Sequence, residues 1–322
     1  LAVNLLLGWL IAATGNGATL LTATTGNITV TSADRVNNGT ASTALDVSFG
    51  AATGGSTNTA GTLTVTTDGG AGAAGEIFVT SGEALTVGVL NTADGTGQTI
   101  SIVTTAGNLT WSGASLLDTD TVTLGGAATG VLTISAAQTV GSLTGTGNSV
   151  VVSGNVTTTA STASGTPSGN ITLSADTTTL TLTNNLTTGT AAVADTAGNE
   201  SATTGAISLT AVTGISGAGV LTTGAASITG ADAGGTDTAT SGTITLNVTG
   251  AGDVGLSGTN ALTIGAATGN AATTLTATTG NITVTSADRV NNGTASTALD
   301  VSFGAASGGS TNTAGVLTVT TD

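Results

Sequence analysis

The sequence predicts an all-β fold, a β-solenoid in which short strands stack coil upon coil. The first observation behind this prediction is a strand pattern, a glycine followed by apolar residues that alternate with hydroxyl residues, as in residues 26–32. The second is the recurrence of this glycine-led strand, because successive starting glycines lie 33 to 39 residues apart. The third is a longer repeat, since residues 21–68 recur as residues 275–322 with 46 of 48 positions identical. We therefore expect coils of about 36 residues with roughly three strands in each.

The glycine-led strands carry the large apolar residues that a core needs. They begin at Gly26, Gly61, Gly97, Gly130, Gly169, Gly205, Gly242, Gly280 and Gly315. Two apolar positions in each strand are predicted to point inward and to stack in columns from coil to coil. These positions are Ile28, Val30, Leu63, Val65, Ile100, Ile102, Leu132, Ile134, Ile171, Leu173, Ile207, Leu209, Ile244 and Leu246. This placement favours an ordered core over disorder, although few aromatic residues are available.

The alternating hydroxyl residues are predicted to form two outward ranks along one face. The members are Thr29, Thr31, Thr64, Thr66, Thr133, Ser135, Thr172, Ser174, Ser208, Thr210, Thr245, Asn247, Thr283 and Thr285. Threonine is a good strand residue on an exposed face and forms ladders between neighbouring strands, so packing is the first interpretation. Flat Thr-x-Thr ranks are also typical of ice-binding solenoids. An ice- or carbohydrate-binding surface is therefore the alternative.

The coil period runs from end to end, so we expect residues 1–322 to form one continuous body. Residues 1–25 form an atypical apolar first coil, for which a leader peptide is the alternative interpretation. The long repeat has an offset of 254 residues, which equals seven glycine spacings and predicts seven coils per repeat. Each coil also has a variable segment rich in small residues, such as residues 191–204, where we expect a loop. The near-identity of the two copies suggests a window on a longer tandem array.

Composition excludes several classes of function. The chain has 2 basic and 17 acidic residues and a net charge of −15, which excludes nucleic-acid binding and disfavours an anionic membrane surface. It has no histidine and no cysteine, the usual general base and the usual soft metal ligands. We therefore predict no enzyme activity, no cofactor and no metal site. The close acidic pair Asp118 and Asp120 is expected to lie in a solvated turn.

Two further features have competing interpretations. Asp34 and Arg35 recur as Asp288 and Arg289, for which a local ion pair is the first interpretation and a sugar or carboxylate site the alternative. Ten Asn-x-Ser/Thr triplets occur, as expected by chance in a chain so rich in threonine. Glycan attachment remains possible only for those on loops.

The repeated strands resemble a known class of protein. Strands of the form Gly-x-Ile-Thr-Leu-Ser, as in residues 169–174, and the run 214–222 are similar to those of right-handed parallel β-helices of the filamentous-haemagglutinin and autotransporter type. The resemblance covers nearly the whole chain. It implies a right-handed solenoid at a bacterial cell surface, acting as a structural or adhesive extracellular fibre segment. Its partners would be further copies of itself, with surface glycans or other cells as possible targets, and no membrane span is expected.

Overall fold

The structure is a computed structural model of an all-β protein. It describes residues 2–5, 20–23, 28–32, 45–48, 62–67, 77–82, 84–92, 97–194, 199–229, 238–242, 244–251, 253–256, 262–263, 269–270, 274–279, 282–286, 300–303 and 317–321. Within these residues every regular element is a β-strand, so the all-β prediction is confirmed. The chain divides into two compact units, unit 1 (Leu1–Val140 and Gly145–Asn148) and unit 2 (Gly141–Thr144 and Ser149–Asp322). The expectation of one continuous body remains a prediction.

Unit 1 contains two sheets of parallel strands. Its strands are β1 (Ala2–Leu5), β2 (Leu20–Ala23), β3 (Ile28–Ser32), β4 (Leu45–Ser48), β5 (Thr62–Thr67), β6 (Ile77–Ser81), β7 (Leu85–Asn91), β8 (Thr99–Thr104), β9 (Leu109–Trp111), β10 (Ser115–Gly125) and β11 (Val131–Ile134). Sheet A has the order β1-β2-β4-β6-β8-β10 and sheet B the order β3-β5-β7-β9-β11. The following strand, β12 (Gln138–Gly147), contributes residues to both units. The apolar run at the start of the chain therefore supplies a strand, because β1 pairs with β2.

Unit 2 is built in the same way, with additional strands. They are β13 (Ser149–Val152), β14 (Val156–Thr158), β15 (Ile171–Ala175), β16 (Thr179–Leu182), β17 (Leu186–Thr187), β18 (Ala191–Ala194), β19 (Ser201–Thr203), β20 (Ile207–Ala211), β21 (Gly214–Gly217), β22 (Leu221–Thr222), β23 (Ala226–Thr229), β24 (Thr238–Ser241), β25 (Ile244–Ala251), β26 (Asp253–Leu256), β27 (Leu262–Thr263), β28 (Gly269–Asn270), β29 (Thr274–Thr279), β30 (Ile282–Ser286), β31 (Asp300–Phe303) and β32 (Leu317–Thr321). Sheet C has the order β15-β20-β25-β29-β31 and sheet D the order β13-β16-β21-β26-β30-β32. Further rows are β14-β17-β22-β27, β18-β23 and β19-β24-β28.

The alternation of apolar and hydroxyl residues decides which side chains form the core. Successive side chains of a strand point to opposite faces, so every second residue can be buried. Each predicted inward residue whose side chain the structure describes is 0% exposed, namely Leu63, Val65, Ile100, Ile102, Leu132, Ile134, Ile171, Leu173, Ile207, Leu209, Ile244 and Leu246. The inward assignment is confirmed for these residues. The side chains of Ile28 and Val30 lie outside the described part.

The stacking of these residues follows the prediction in unit 2 from Ile171 to Ile244. Ile171 pairs with Ile207, and Ile207 pairs with Ile244, and both steps along the chain equal the spacing of the leading glycines. Leu173 and Leu209 continue the second column in the same register. The strands led by Gly169, Gly205 and Gly242 therefore lie side by side in sheet C, whereas those led by Gly280 and Gly315 lie in sheet D.

In unit 1 the stacking prediction holds for the first two glycine-led strands, where Ile28 pairs with Leu63 and Val30 with Val65, and is wrong beyond them. Leu63 pairs with Val87 in sheet B, a step along the chain that is much shorter than the glycine spacing. Ile100 lies in sheet A, where its partners Ile77 and Val122 are reached by similarly short steps. From Leu63 onward the predicted coil length, and with it the expectation of seven coils per long repeat, does not hold in unit 1.

The physical reason is that alternation selects the buried face of a strand but not its lateral partner. Strand β6 has the same inward alternation as the glycine-led strands, and β7 has it from Leu85 to Val87. Their outward residues differ, since Phe78 stands where a glycine-led strand has a hydroxyl residue. Strand β6 pairs with β4, and β7 pairs with β5 in the place where the glycine period predicts the strand led by Gly97. Glycine-led strands consequently fall into two different sheets.

The number of strands per coil also differs from the prediction of roughly three. From Ile171 to its partner Ile207, the chain passes through five strands, β15 to β19. The segment 191–204, expected to be a loop, supplies β18 and β19. Together with β23 and β24 these strands form a small apolar cluster of Ala191, Val193, Ala202, Ala226 and Ala239, with Ile228 packed against it. Alanine side chains are sufficient to fill this small second core. The segment therefore needs few large apolar residues, and its low hydrophobicity did not predict the strands.

The two copies of the long repeat form the same strands in the same register. In the first copy Leu20 pairs with Asp46, and in the second Thr274 pairs with Asp300. Likewise Ile28 pairs with Leu63 and Ile282 pairs with Leu317. Every one of these positions is shifted by the offset of the long repeat, so near-identical sequence produces the same local pairing.

Candidate functional surface

Outward hydroxyl residues form two short ranks on sheet C of unit 2. The first rank is Thr172, Ser208 and Thr245, and the second is Ser174, Thr210 and Asn247, each joined by direct strand pairing. Thr172 is exposed and the other members are half-buried. Paired strands lie about 4.8 Å apart, so each rank presents a polar group at that interval. Ser174 also donates a hydrogen bond to Asp176 Oδ1, 2.6 Å away.

The remaining predicted members lie elsewhere, so the expectation of two ranks along a single face is wrong. Thr29, Thr31, Thr64 and Thr66 pair with one another on sheet B, and Thr133 pairs with Thr110 on the same sheet. Ser135 Oγ donates to the carbonyl oxygen of Trp111 at 3.3 Å. Thr283 and Thr285 pair with Thr318 and Thr320 on sheet D of unit 2. The ranks are divided because the glycine-led strands themselves are divided between sheets.

A buried hydrogen-bond ladder in unit 2 was not apparent from the sequence. The hydroxyl of Thr188 accepts from Gly224 N at 3.1 Å and donates to the carbonyl oxygen of Gly205 at 2.9 Å. The hydroxyl of Ser168 accepts from Gly205 N at 2.8 Å and donates to the carbonyl oxygen of Gly189 at 2.7 Å. Both hydroxyls are almost fully buried, at 1% and 4% exposure. The ladder satisfies backbone groups at the corners, where strand pairing is interrupted.

Glycines stack directly at one of these corners. A β-carbon on Gly169 would lie 1.4 Å from the carbonyl oxygen of Gly141, and one on Gly205 would lie 1.9 Å from that of Gly169. Gly242 repeats the contact with Gly205 at 1.9 Å. The glycine that begins each of these strands is therefore required for close approach of the backbones. The sequence signal that could have revealed the corner is the hydroxyl–glycine dipeptide before each strand, as in residues 168–169 and 204–205.

Several asparagines of Asn-x-Ser/Thr triplets have a structural role. Asn155 Oδ1 accepts from the backbone N–H of Asn185 at 3.1 Å, and Asn185 Oδ1 accepts from that of Val220 at 3.0 Å. Asn170 Oδ1 accepts from Ala206 N at 2.8 Å. Each side chain thus caps a backbone donor about one coil further along the chain.

The acidic pair does not lie in a solvated turn, as the sequence suggested, but within strand β10. Asp118 is exposed, whereas Asp120 is 2% exposed. The Asp120 carboxylate accepts from Thr92 Oγ1 at 2.5 Å and from the backbone N–H of Gln98 at 2.8 Å. Two directed donors account for its burial, because a buried carboxylate requires hydrogen bonds. Its position therefore indicates a structural role.

In the described parts of the chain, no group of three or more Asp, Glu, His and Cys residues is placed to hold a metal ion. The Asp34–Arg35 pair and its repeat at Asp288–Arg289 lie outside the described residues. Among the residues with described positions, none forms a helix long and apolar enough to cross a membrane. No family model, curated protein or solved structure matches this chain.

Proposed function

We propose that this chain is a non-catalytic structural and adhesive segment of an extracellular fibre, built as a right-handed parallel β-solenoid. The observation that carries the proposal is the shared strand register of the two copies of the long repeat, Ile28 with Leu63 and Ile282 with Leu317. A unit that folds in the same way at each occurrence can be extended by adding copies, which is the design of repeat proteins. Further copies of itself are its first partner.

Variable coil length is part of the proposed solenoid. The step from one strand to its parallel neighbour is short between Thr99 and Thr121 and much longer between Gly214 and Asp253. Solenoids accept such variation because each coil contacts only its neighbours. Right-handed connection between parallel strands is favoured by the twist of the strands.

Composition supports a role outside the cell. A chain with only two basic residues has two points of attack for a trypsin-like protease, which favours persistence in a protease-rich environment. The outward ranks are hydroxyl and amide groups, which suit weak multivalent contacts with glycans or other cell surfaces better than they suit catalysis. The resemblance to filamentous-haemagglutinin and autotransporter proteins agrees with this location.

The fibre proposal predicts a specific result for the native material. Negative-stain images of the parent protein are expected to show filaments, and antibodies raised against residues 97–194 are expected to label intact cells. Diffraction from aligned filaments should give the spacing of about 4.8 Å along the axis, since strands run across a solenoid. Discrete particles together with labelling only after cell lysis would contradict the proposal.

The two hydroxyl ranks of sheet C favour a second candidate function, binding to ice or carbohydrate. Thr172, Ser208 and Thr245 are aligned by direct strand pairing and present a regular polar row. If this row binds ice, the protein should show thermal hysteresis, and Thr172→Tyr with Ser208→Tyr should abolish it. A matched control is Thr133→Tyr, which changes a half-buried outward residue of unit 1. Absence of hysteresis and of any change in ice-crystal shape would eliminate the ice-binding function.

A further inference from the structure

The chain contains one proline, Pro167, and it lies in an exposed segment of unit 2. We call this segment the strap and define it as residues 161–168, of which residues 162–167 are exposed. The strap lies between β14 and β15, whereas in the next coil β18 and β19 lie between their partners β17 and β20. With β23 and β24, these two strands form the apolar cluster around Ala202, which we call the lobe. The strap is therefore the counterpart of the lobe strands one coil earlier.

The strap covers one edge of the lobe. The strands β18 and β19 are the first members of the rows β18-β23 and β19-β24-β28. Along β18, the backbone of Ser161 forms two hydrogen bonds, at 2.8 and 2.9 Å. Along β19, Gly165 N donates to Ser201 O at 2.9 Å, and Ser201 N donates to Ser164 Oγ at 3.0 Å. Backbone groups that would otherwise form an open edge are thus paired within the chain.

The strap has an irregular backbone that is a poor template for a further strand. The N–H and C=O groups of Thr166 are both bonded within the strap, the carbonyl oxygen to Ser161 Oγ at 2.6 Å. Pro167 has no N–H group to donate. Gly165 has a φ of +74°, in the left-handed region that residues with a side chain rarely adopt. Proline and irregular backbone are common means of protecting the edge of a sheet.

Charge cannot protect the lobe in this chain. Between residues 36 and 288 the sequence contains no basic residue, so no lysine or arginine is available to repel an approaching strand. The strands β18 and β19 consist of alanine, valine, serine and threonine. Uncharged strands of this kind pair readily with another chain when their edge is uncovered. A covering segment is therefore the protection that the composition allows.

We propose that the strap is a cover that prevents the lobe from pairing with the lobe of a second copy of this chain. Without the strap, the edge at Ser201 of one copy pairs with the same edge of another. Two identical edges that face each other are related by a two-fold axis, so the new pairing is antiparallel and closes as a dimer. The inference goes beyond the proposed fibre function, because it concerns an association that the native fold blocks.

The test removes the strap and measures self-association by analytical ultracentrifugation. Residues 162–167 are replaced by Gly-Gly-Gly, which is long enough because Ser161 already contacts Thr166. The variant is expected to form dimers with an apparent Kd at least about tenfold below that of the parent chain, since each regained backbone hydrogen bond adds affinity. The amide of Ser201 should exchange at least about tenfold more slowly in the dimer than in a dilute sample of the same variant.

A point variant loosens the strap without a deletion. Gly165→Val places a β-branched residue at a φ of +74°, which strains the backbone, although a β-carbon there would meet no atom within 4 Å. The strap is expected to detach from β19, and dimer formation should increase as it does in the deletion variant. Thr162→Val is the matched control, because Thr162 is an exposed member of the same strap. It should leave the association unchanged.

A second change in the strap-deleted variant identifies the edge. Ser201→Pro removes the N–H group that faces the strap, so it should return the variant to the association state of the parent chain. Equal association of the parent chain and both strap variants, with unchanged circular dichroism, would overturn the proposal. Dimers that persist after Ser201→Pro would also overturn it, because they would form elsewhere. If the deletion variant loses its β-structure, Gly165→Val and its control decide the outcome.

Discussion

Gly205→Ala is expected to destabilise unit 2 severely. The added methyl group would lie 1.9 Å from the carbonyl oxygen of Gly169 and 2.5 Å from its carbon. Backbone atoms cannot move away without breaking the pairing of Ile171 with Ile207, two residues further along each strand. Because overpacking of this kind forces backbone shifts, we expect a loss of about 3 kcal/mol or more in the free energy of unfolding. Urea denaturation followed by circular dichroism measures it.

Gly255→Ala is the matched control for this prediction. Gly255 also lies in a strand of unit 2, but a β-carbon there would meet no atom within 4 Å. The change should alter the free energy of unfolding by at most about 1 kcal/mol, and reduced freedom of the unfolded chain could make it favourable. Similar losses for the two variants would show that the glycine corner is not a point of close approach.

Leu173→Asp is expected to lower the free energy of unfolding by as much as Gly205→Ala does, or by more. Leu173 is 0% exposed and pairs with Leu209, which is also fully buried. A carboxylate at this position would lose its hydration in an apolar column, and between residues 36 and 288 the chain has no basic residue to compensate it. We expect a loss of about 4 kcal/mol or more, which lies at the severe end for single substitutions.

Thr172→Asp provides the comparison, because it places the same carboxylate one residue away on the exposed side of the strand. It should change the free energy of unfolding by no more than about 0.5 kcal/mol. Denaturation curves of the two variants therefore separate inward from outward positions. Equal destabilisation would refute the burial pattern of β15.

Side-chain direction is where sequence and structure agree best. Each inward residue tested by described side chains is buried, from Leu63 in unit 1 to Leu246 in unit 2. The agreement has a local cause, since the two faces of a strand alternate and only one face of these strands is apolar. The predictions that were wrong concern residues whose surroundings are set by distant parts of the chain. Asp120 is buried because Thr92 and the backbone of Gln98 reach it from the preceding coil.

The amino-acid sequence by itself determined that the described chain is β-structure and which face of each glycine-led strand is buried, because these properties depend on a residue and its immediate neighbours. Only the tertiary structure decided which strand lies beside which. Leu63 and Ile100 have the same local pattern, yet the first pairs with Val87 in sheet B and the second with Ile77 in sheet A. Lateral pairing is a competition among all strands with a matching face, and its outcome depends on the intervening chain. The hydroxyl ranks were divided between sheets for the same reason.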